Sequence, residues 1–310
     1  MKTQPSCLCL TGPTACGKTA LAVRLAEEFP VEIISMDSAM VYRGMDIGTA
    51  KPARALRARI PHHLIDIADP AETYSAGKFA ADARAAMASI LRRDRIPLLV
   101  GGTLFYLRSL RDGLAELPAA DPEVRRRLDK EAEAVGWAAL HERLRRIDPD
   151  AAQTIAPTDR QRIQRAPEVV ELTGESLTAL RAQRQSRRAT PVQALALLPQ
   201  DRNALARQIE RRFDDMLAAG LTDEVRALRE RGDLAPTTPA MRAVGYRQIW
   251  AFLDGAYEWQ EARRRAIVAT RQLAKRQLTW LRSETRIQCL PAQQAAAADV
   301  LRKALRAFAS

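Results

Sequence analysis

Long apolar runs are missing from this 310-residue chain. No stretch approaches the roughly 20 consecutive apolar residues that a membrane-crossing helix needs, and the N-terminal run is only CLCL (residues 7–10), with no h-region or cleavage pattern behind it. Membrane insertion and export are therefore not expected. Cysteine is scarce: the four thiols, Cys7, Cys9, Cys16 and Cys289, show no metal-ligand spacing. The first two fall in an expected strand whose alternate faces point apart, and all four read as reduced thiols of a cytoplasmic protein. Among only three histidines, His62 and His63 are adjacent. Neighbouring side chains at a strand start point to opposite faces, so a structural role is expected rather than a metal site. No internal repeat is found, and no low-complexity segment beyond the alanine-rich end AAAADVLRKALRAFAS (295–310), read as a plain surface helix.

Acidic residues are outnumbered, 37 against 49 Lys+Arg, for a formal net charge of +12 and a pI near 10.1. Residues 201–310 hold 20 Lys+Arg and 13 Asp+Glu, so 20 − 13 = +7 of that excess lies there. A solvated arginine-rich surface would look like this, and so would a surface built for a polyanion such as nucleic acid. Hydrophobic residues at 47% and charged residues at 28% are ordinary globular usage, enough for one large or two modest domains.

The first hundred residues alternate short apolar runs with helical periodicity, which predicts a parallel sheet. Strands are expected at 7–11, 32–37, 63–67 and 96–101, and helices at 18–29 and 75–93, the latter capped by Ser75. From about Leu117 the texture changes to Asp-started, Pro-led helix openings without a convincing strand, ending near the polar stretch 181–191. A further buried strand at 192–198 and a helix opened by Asp201 then return the chain to the first domain, before it finishes in helices. The expected class is α/β: a P-loop parallel-sheet core in two parts, 1–118 and 189–310, with a small all-helical insertion over 119–188.

Residues 12–19, GPTACGKT, satisfy G-x-x-x-x-G-K-[ST] directly behind a strand and at the opening of a helix. Gly12, Pro13, Thr14, Ala15, Cys16, Gly17, Lys18 and Thr19 are thus the expected phosphate cradle. Backbone N–H groups and the helix N-terminus bind the oxygens, Lys18 neutralises them, and Thr19 coordinates Mg²⁺. Triphosphate chemistry usually also wants a second strand ending in a metal-holding acid. One strand here ends in Gly101-Gly102-Thr103, and the other ends in Asp37, the one good candidate. If Asp37 has another task, the loop holds a leaving group. Residues alone reach a P-loop α/β enzyme acting near nucleic acid, with a nucleoside or small-molecule kinase and a non-catalytic RNA-binding module still open.

Beyond the P-loop, ISMDSAMVYRGMDIGTAKP (34–52), IPHHLID (60–66), YSAGKF (74–79), PLLVGGTLFY (97–106), LPAADPEVR (117–125), DRQRIQRAPEV (159–169), AVGYRQIW (243–250) and TRQLAKRQLTWLR (270–282) occur in one order over nearly the whole chain. Together they resemble the bacterial tRNA dimethylallyltransferases, also called tRNA isopentenyltransferases. The resemblance implies transfer of a five-carbon group from dimethylallyl diphosphate to N6 of adenosine 37 in tRNAs reading codons that begin with U, with Mg²⁺ as cofactor. It makes Asp37 the general base, Thr103 a partner of the scissile diphosphate oxygen, and Arg125 a further catalytic contributor. The alternatives are a cap or metal ligand for Asp37, an N-cap for Thr103 and a solvated helix face for Arg125. The implied tRNA contacts are Asp37, Ser38, Ala39 and Met40; Gln161, Arg162, Ile163, Gln164 and Arg165; Arg242, Gly245, Tyr246 and Arg247; and Lys275, Arg276, Gln277, Trp280 and Arg282. Tyr246 and Trp280 either stack on bases or pack in the core. The helical insertion resembles the part that grips the anticodon stem-loop, and neither a membrane nor an obligate protein partner is expected. Two departures stand out. Cys16 replaces the usual Ser, which backbone binding should tolerate, with sensitivity to thiol reagents. Pro167 replaces the usual Leu, removing an N–H and crowding the Ile163 carbonyl, so a kink or break is expected in the helix there.

Overall fold

The computed structural model describes residues 7–113, 117–182, 189–292 and 294–309. The chain divides into two compact units, Met1–Arg111 with Thr190–Ser310, and Asp112–Ala189. Residues 183–188 of the polar stretch expected to close the insertion lie outside the described residues.

The first unit is an α/β layer structure. Its elements are β1 (Cys7–Thr11), α1 (Lys18–Glu28), β2 (Val31–Ser35), α2 (Arg54–Arg59), β3 (His62–His63), α3 (Ala76–Leu91), β4 (Ile96–Val100) and α4 (Leu104–Asp112). In the second unit α5 (Pro122–Val135), α6 (Trp137–Ile147), α7 (Pro149–Thr154), α8 (Arg160–Thr173) and α9 (Leu177–Ala182) follow. The chain then adds β5 (Val192–Leu198), α10 (Arg202–Ala218), α11 (Leu221–Glu230), α12 (Tyr246–Leu253), α13 (Trp259–Ser283), β6 (Ile287–Pro291) and α14 (Gln294–Ala309) to the first unit. The six strands of the described residues all run parallel in the order β3-β2-β4-β1-β5-β6. β1, β2 and β4 are buried along their whole length, as strands covered by helices on both faces must be.

The two-residue period sorts β1 cleanly. Leu8 and Leu10 join Leu21, Leu25, Leu301 and Leu305 in the cluster under α1 and α14, while Cys7 and Cys9 face the cluster that includes Phe79, Leu107 and Tyr246. Cys7 and Cys9, two residues apart, therefore share one face, which corrects the expectation that their faces part. Burial pushes the Cys7 thiol up to about 12 and raises that of Cys9 further, so neither ionises readily.

Three other expectations are corrected. The strand at 63–67 shrinks to His62–His63, because Leu64 (φ 61°) and Asp66 (φ 59°) are left-handed, a conformation no strand accepts. A sixth strand, β6, pairs with β5 near the C-terminus where only helices were expected. The alanine-rich end is no plain surface helix: Ala297, Ala298, Leu301 and Leu305 are fully buried in the sheet-facing cluster. His62 and His63 serve structure, with His62 Nδ1 2.7 Å from the Ile60 carbonyl and His63 Nε2 2.6 Å from the Glu32 carboxylate.

The second unit has helices as its only regular elements among its described residues. Asp121, Asp148 and Asp159 each accept backbone N–H groups at the start of a helix, the first two with Pro at the first turn, so the Asp-Pro openings are caps. Its core gathers Ala132, Leu140, Leu144, Ile155, Ile163, Ala166 and Val169. Helix α8 runs unbroken across Pro167, so the expected break does not occur. Ile163, Ala166 and Val169, all fully buried on the face beside Pro167, hold the helix in register despite the lost hydrogen bond.

Candidate active site

Three loops leave the carboxyl ends of three adjacent strands: residues 12–18 after β1, 101–103 after β4 and 36–40 after β2. In an open parallel sheet this edge is where ligands bind. A cavity of about 540 Å³ opens there, lined by Lys18, Thr19, Asp37, Thr103, Arg212 and Gln277 among others.

The P-loop takes its shape from its small residues. A Cβ on Gly12 (φ 142°) would lie 2.6 Å from the Leu197 carbonyl oxygen. Gly17 (φ 87°) precedes α1 in the left-handed region and offers no side-chain cap, so the first N–H groups of α1 point out unsatisfied by any side chain. This is the electropositive end that an anion seeks. Lys18 donates to the carbonyls of Gly12 (3.0 Å) and Pro13 (2.6 Å), and its Nζ lies 3.7 Å from Cys16 Sγ. Burial lowers the Lys18 ammonium from its ordinary value.

Asp37 Oδ1 accepts from the backbone N–H groups of Ala39 (2.8 Å) and Met40 (3.3 Å), while Oδ2 takes no hydrogen bond among the described residues. One oxygen therefore caps the turn, and the other has no hydrogen-bond partner among the described residues. Thr103 Oγ1 accepts from the Ser38 N–H (3.2 Å), tying the β4 loop to the β2 loop. Gly101 is needed for that approach, since a Cβ there would fall 2.0 Å from the Met36 carbonyl oxygen, while a Cβ on Gly102 would meet Gln277 Nε2 at 2.4 Å. From α13, the Gln277 amide accepts from the Thr14 N–H (2.9 Å) and donates to the Gly102 carbonyl (2.9 Å), so it clasps P-loop and β4 loop together.

Arg212, on α10, was not foreseen. It is half-buried, forms no hydrogen bond among the described residues, and lines the cavity beside Lys18. Burial lowers its guanidinium from the ordinary value, while the nearby Asp37 charge favours the cation. In sequence it sits within QIERRFDDML, a charged amphipathic stretch with no signal for which face meets the P-loop.

The expected RNA contacts divide. Ser38, Arg242, Arg247, Lys275, Arg276 and Arg282 are exposed, and Ala39, Met40, Gln277 and Trp280 are half-buried around the cavity. Tyr246 is fully buried with its hydroxyl 2.5 Å from Glu224, which corrects any stacking role for its ring; Gly245 (φ 94°) is buried beside it. In the helical unit Gln161 and Arg162 are exposed, whereas Ile163 is a core residue, correcting its expected RNA contact: the helical period turns it inward. Gln164 donates to Asp129 (2.6 Å). Arg125 also belongs to this unit, where it holds Glu168 bidentately (2.9 and 3.1 Å) and Arg165 donates to the same carboxylate (2.7 Å). Arg125 is thus no free solvated side chain.

The IPP transferase family profile matches residues 40–284. The chain belongs to the IPP transferase family. It is 59% identical over 280 residues to the tRNA dimethylallyltransferase of Alkalilimnicola ehrlichii, covering 90% of this chain and 88% of that protein. The enzyme of the same name from Thiobacillus denitrificans is 59% identical over 281 residues, with 90% and 89% covered. Among solved structures, the full-length tRNA isopentenylpyrophosphate transferase of Bacillus halodurans superposes with a TM-score of 0.70 at 34% identity, covering 97% of each chain. A eukaryotic dimethylallyltransferase captured acting on tRNA superposes at 0.78 with 26% identity, covering 98% of this chain and 84% of its own. The parallel core found here is therefore the family's P-loop fold.

No group of three or more His, Cys, Asp or Glu fit to hold a metal exists among the described residues, and no helix there is long and apolar enough to cross a membrane. Mg²⁺ nonetheless suits the donors present, because it keeps waters and binds through one or two protein oxygens plus substrate phosphates. The Thr19 hydroxyl, which lines the cavity, offers such an oxygen.

Proposed function

We infer that this chain is a tRNA dimethylallyltransferase that alkylates N6 of adenosine 37, beside the anticodon, using dimethylallyl diphosphate as donor. One observation carries the reading: the P-loop, the unpaired Arg212 and the open Asp37 oxygen surround a single cavity, while β4 ends in glycines and Thr103 instead of a second acid. Such a site holds a polyphosphate as leaving group and keeps its one carboxylate for a proton.

These positions support the following course of reaction. The allylic C–O bond breaks with its electron pair going to the diphosphate, whose growing charge is met by the N–H groups at the start of α1, Lys18 and Arg212. Thr103 Oγ1, which accepts the Ser38 N–H, would turn its own hydrogen from the Ser38 hydroxyl (3.5 Å) to the departing oxygen. The N6 lone pair forms the new C–N bond, and the N6 proton passes to Asp37 Oδ2. Mg²⁺ bound through Thr19 and the diphosphate would supply further charge neutralisation. Adenosine 37 must leave its stack to reach the cavity, at a cost of a few kcal/mol. The exposed Arg242, Arg247, Lys275, Arg276 and Arg282 supply phosphate contacts toward that cost, and the helical unit, through Gln161 and Arg162, grips the anticodon arm. The reaction belongs to the cytoplasm, where unmodified tRNA is met.

The test is transfer of radiolabel from dimethylallyl diphosphate, with Mg²⁺, into tRNA carrying unmodified adenosine 37. Asp37→Asn keeps an oxygen to cap Ala39 and Met40 but cannot take the proton, so a 10²- to 10⁴-fold loss in kcat is expected. Absence of label with wild type, together with nucleotide-dependent phosphorylation of a small acceptor, would establish the kinase reading instead.

A further inference from the structure

Glu224, on α11, carries an unusual load. Its Oε2 accepts from the backbone N–H groups of Asp46 (2.8 Å) and Ile47 (2.7 Å), and its Oε1 accepts from the Gly48 N–H (3.1 Å) and the Tyr246 hydroxyl (2.5 Å). Three successive backbone donors thus converge on one carboxylate, the geometry of a backbone anion nest filled by a side chain. The segment also packs closely on the Tyr246 ring: a Cβ on Gly48 would meet Tyr246 Cε2 at 2.5 Å and Leu221 Cδ1 at 2.7 Å. Its far end is fixed by Lys51, whose side chain is 2% exposed and whose ammonium donates to the Tyr42 carbonyl (2.5 Å), Asp46 (2.7 Å) and Asp66 (2.5 Å).

Gly48, Thr49, Tyr246, Phe213 and Met216 all line the cavity that holds Lys18 and Asp37. One part of the cavity wall is therefore a stretch of backbone whose position is set by Glu224 and Tyr246. We propose that this pair is the positioning device that sets how long an allylic chain the cavity admits. The proposal rests on the donor reading above. A phenol ring is about the size of one isoprene unit, and the Tyr246 ring is fully buried directly behind Gly48. Removing the ring opens a space of that size next to the donor's tail, and removing the Glu224 charge frees the backbone that closes it.

The experiment compares dimethylallyl and geranyl diphosphate as donors to the same tRNA, with the full-length chain as wild type, Y246A, Y246F and E224Q, each checked for folding by thermal melting. Wild type should favour the five-carbon donor, and Y246A should shift the ratio of the two kcat/KM values toward the ten-carbon donor by tenfold or more. Y246F, which keeps the ring, should leave that ratio within twofold of wild type. E224Q should raise the donor KM severalfold with the tRNA KM unchanged, a split that general destabilisation does not produce. If wild type transfers the dimethylallyl group but folded Y246A keeps the wild-type ratio, the proposal is wrong. Should Y246A fail to fold, an unchanged donor KM in E224Q refutes it equally. Failure of wild type to transfer either group would overturn the donor reading itself.

Discussion

Replacing Glu168 with Gln tests whether one buried carboxylate organises the arginines of the helical unit. Glu168 is fully buried and receives Arg125 Nε (2.9 Å) and the Asp121 N–H (2.8 Å) on Oε1, and Arg125 Nη2 (3.1 Å) and Arg165 Nη1 (2.7 Å) on Oε2. A glutamine keeps the shape but turns one acceptor into an NH₂ facing guanidinium N–H groups. Breaking a fully buried pair costs about 3–5 kcal/mol. The Arg125 and Arg165 side chains, however, are 40% and 22% exposed and can rehydrate, so about 2 kcal/mol is expected here. Urea unfolding at pH 7, followed by far-ultraviolet circular dichroism, should show that loss. A pH series adds a second reading. Burial alone would raise the Glu168 carboxyl, but Arg125, Arg165 and the Asp121 N–H outweigh it and hold the group below its ordinary range. A depressed folded-state value means that the stabilisation is complete above the unfolded carboxyl value, about 4.3, and fades as pH falls through the folded one. The difference between wild type and E168Q should therefore narrow in acid. A variant within 0.5 kcal/mol of wild type at pH 7, or a gap independent of pH, would refute the assignment of Glu168 as the organising group.

The phosphate cradle makes its own demands. Lys18→Met should lower kcat/KM for the diphosphate donor by roughly 10²- to 10³-fold, the loss typical of one transition-state donor; steady-state kinetics with donor varied measures this. Arg212→Ala should cost tenfold or more in the same parameter, and Arg212→Lys should recover only part of it because the planar fork is lost; equal activity of all three would remove Arg212 from the site. Pro167→Ala should stabilise the protein. Proline in a helix interior costs about 3 kcal/mol against alanine, and the two buried ring methylenes given up return about 1.6 kcal/mol of that. A net gain near 1 kcal/mol is expected in urea unfolding, and a loss would show that the ring's packing outweighs the backbone penalty.

Pro167 also marks where local reasoning ends. Its neighbours Ile163, Ala166 and Val169 are buried together in one small core, and that packing keeps α8 intact against a rule that considers only the proline and its own turn. The same limit hid β6. Its Gln288 and Cys289 are exposed and only Ile287 and Leu290 are buried, so an edge strand of five residues shows little periodicity of its own until β5 pairs with it. The run HLIDI looked like a strand by composition. Asp66 instead turns left-handed and bridges Lys51 and Arg57, two ion pairs whose partners lie nine and fifteen residues away. By contrast, β1, the P-loop and α1 were legible because each step is a constraint on one or two residues: glycine where φ is positive, lysine at the helix start, alternation along a covered strand. Asp37 and Thr103 were legible for the same reason, each lying just beyond a strand end. Arg212 and Glu224 were not, because a helix sequence does not say which neighbouring loop its polar groups will meet. The most local signals therefore located the loops that line the cavity, while the residues that shape it from the other elements come from α10, α11 and α12, long after the P-loop in sequence.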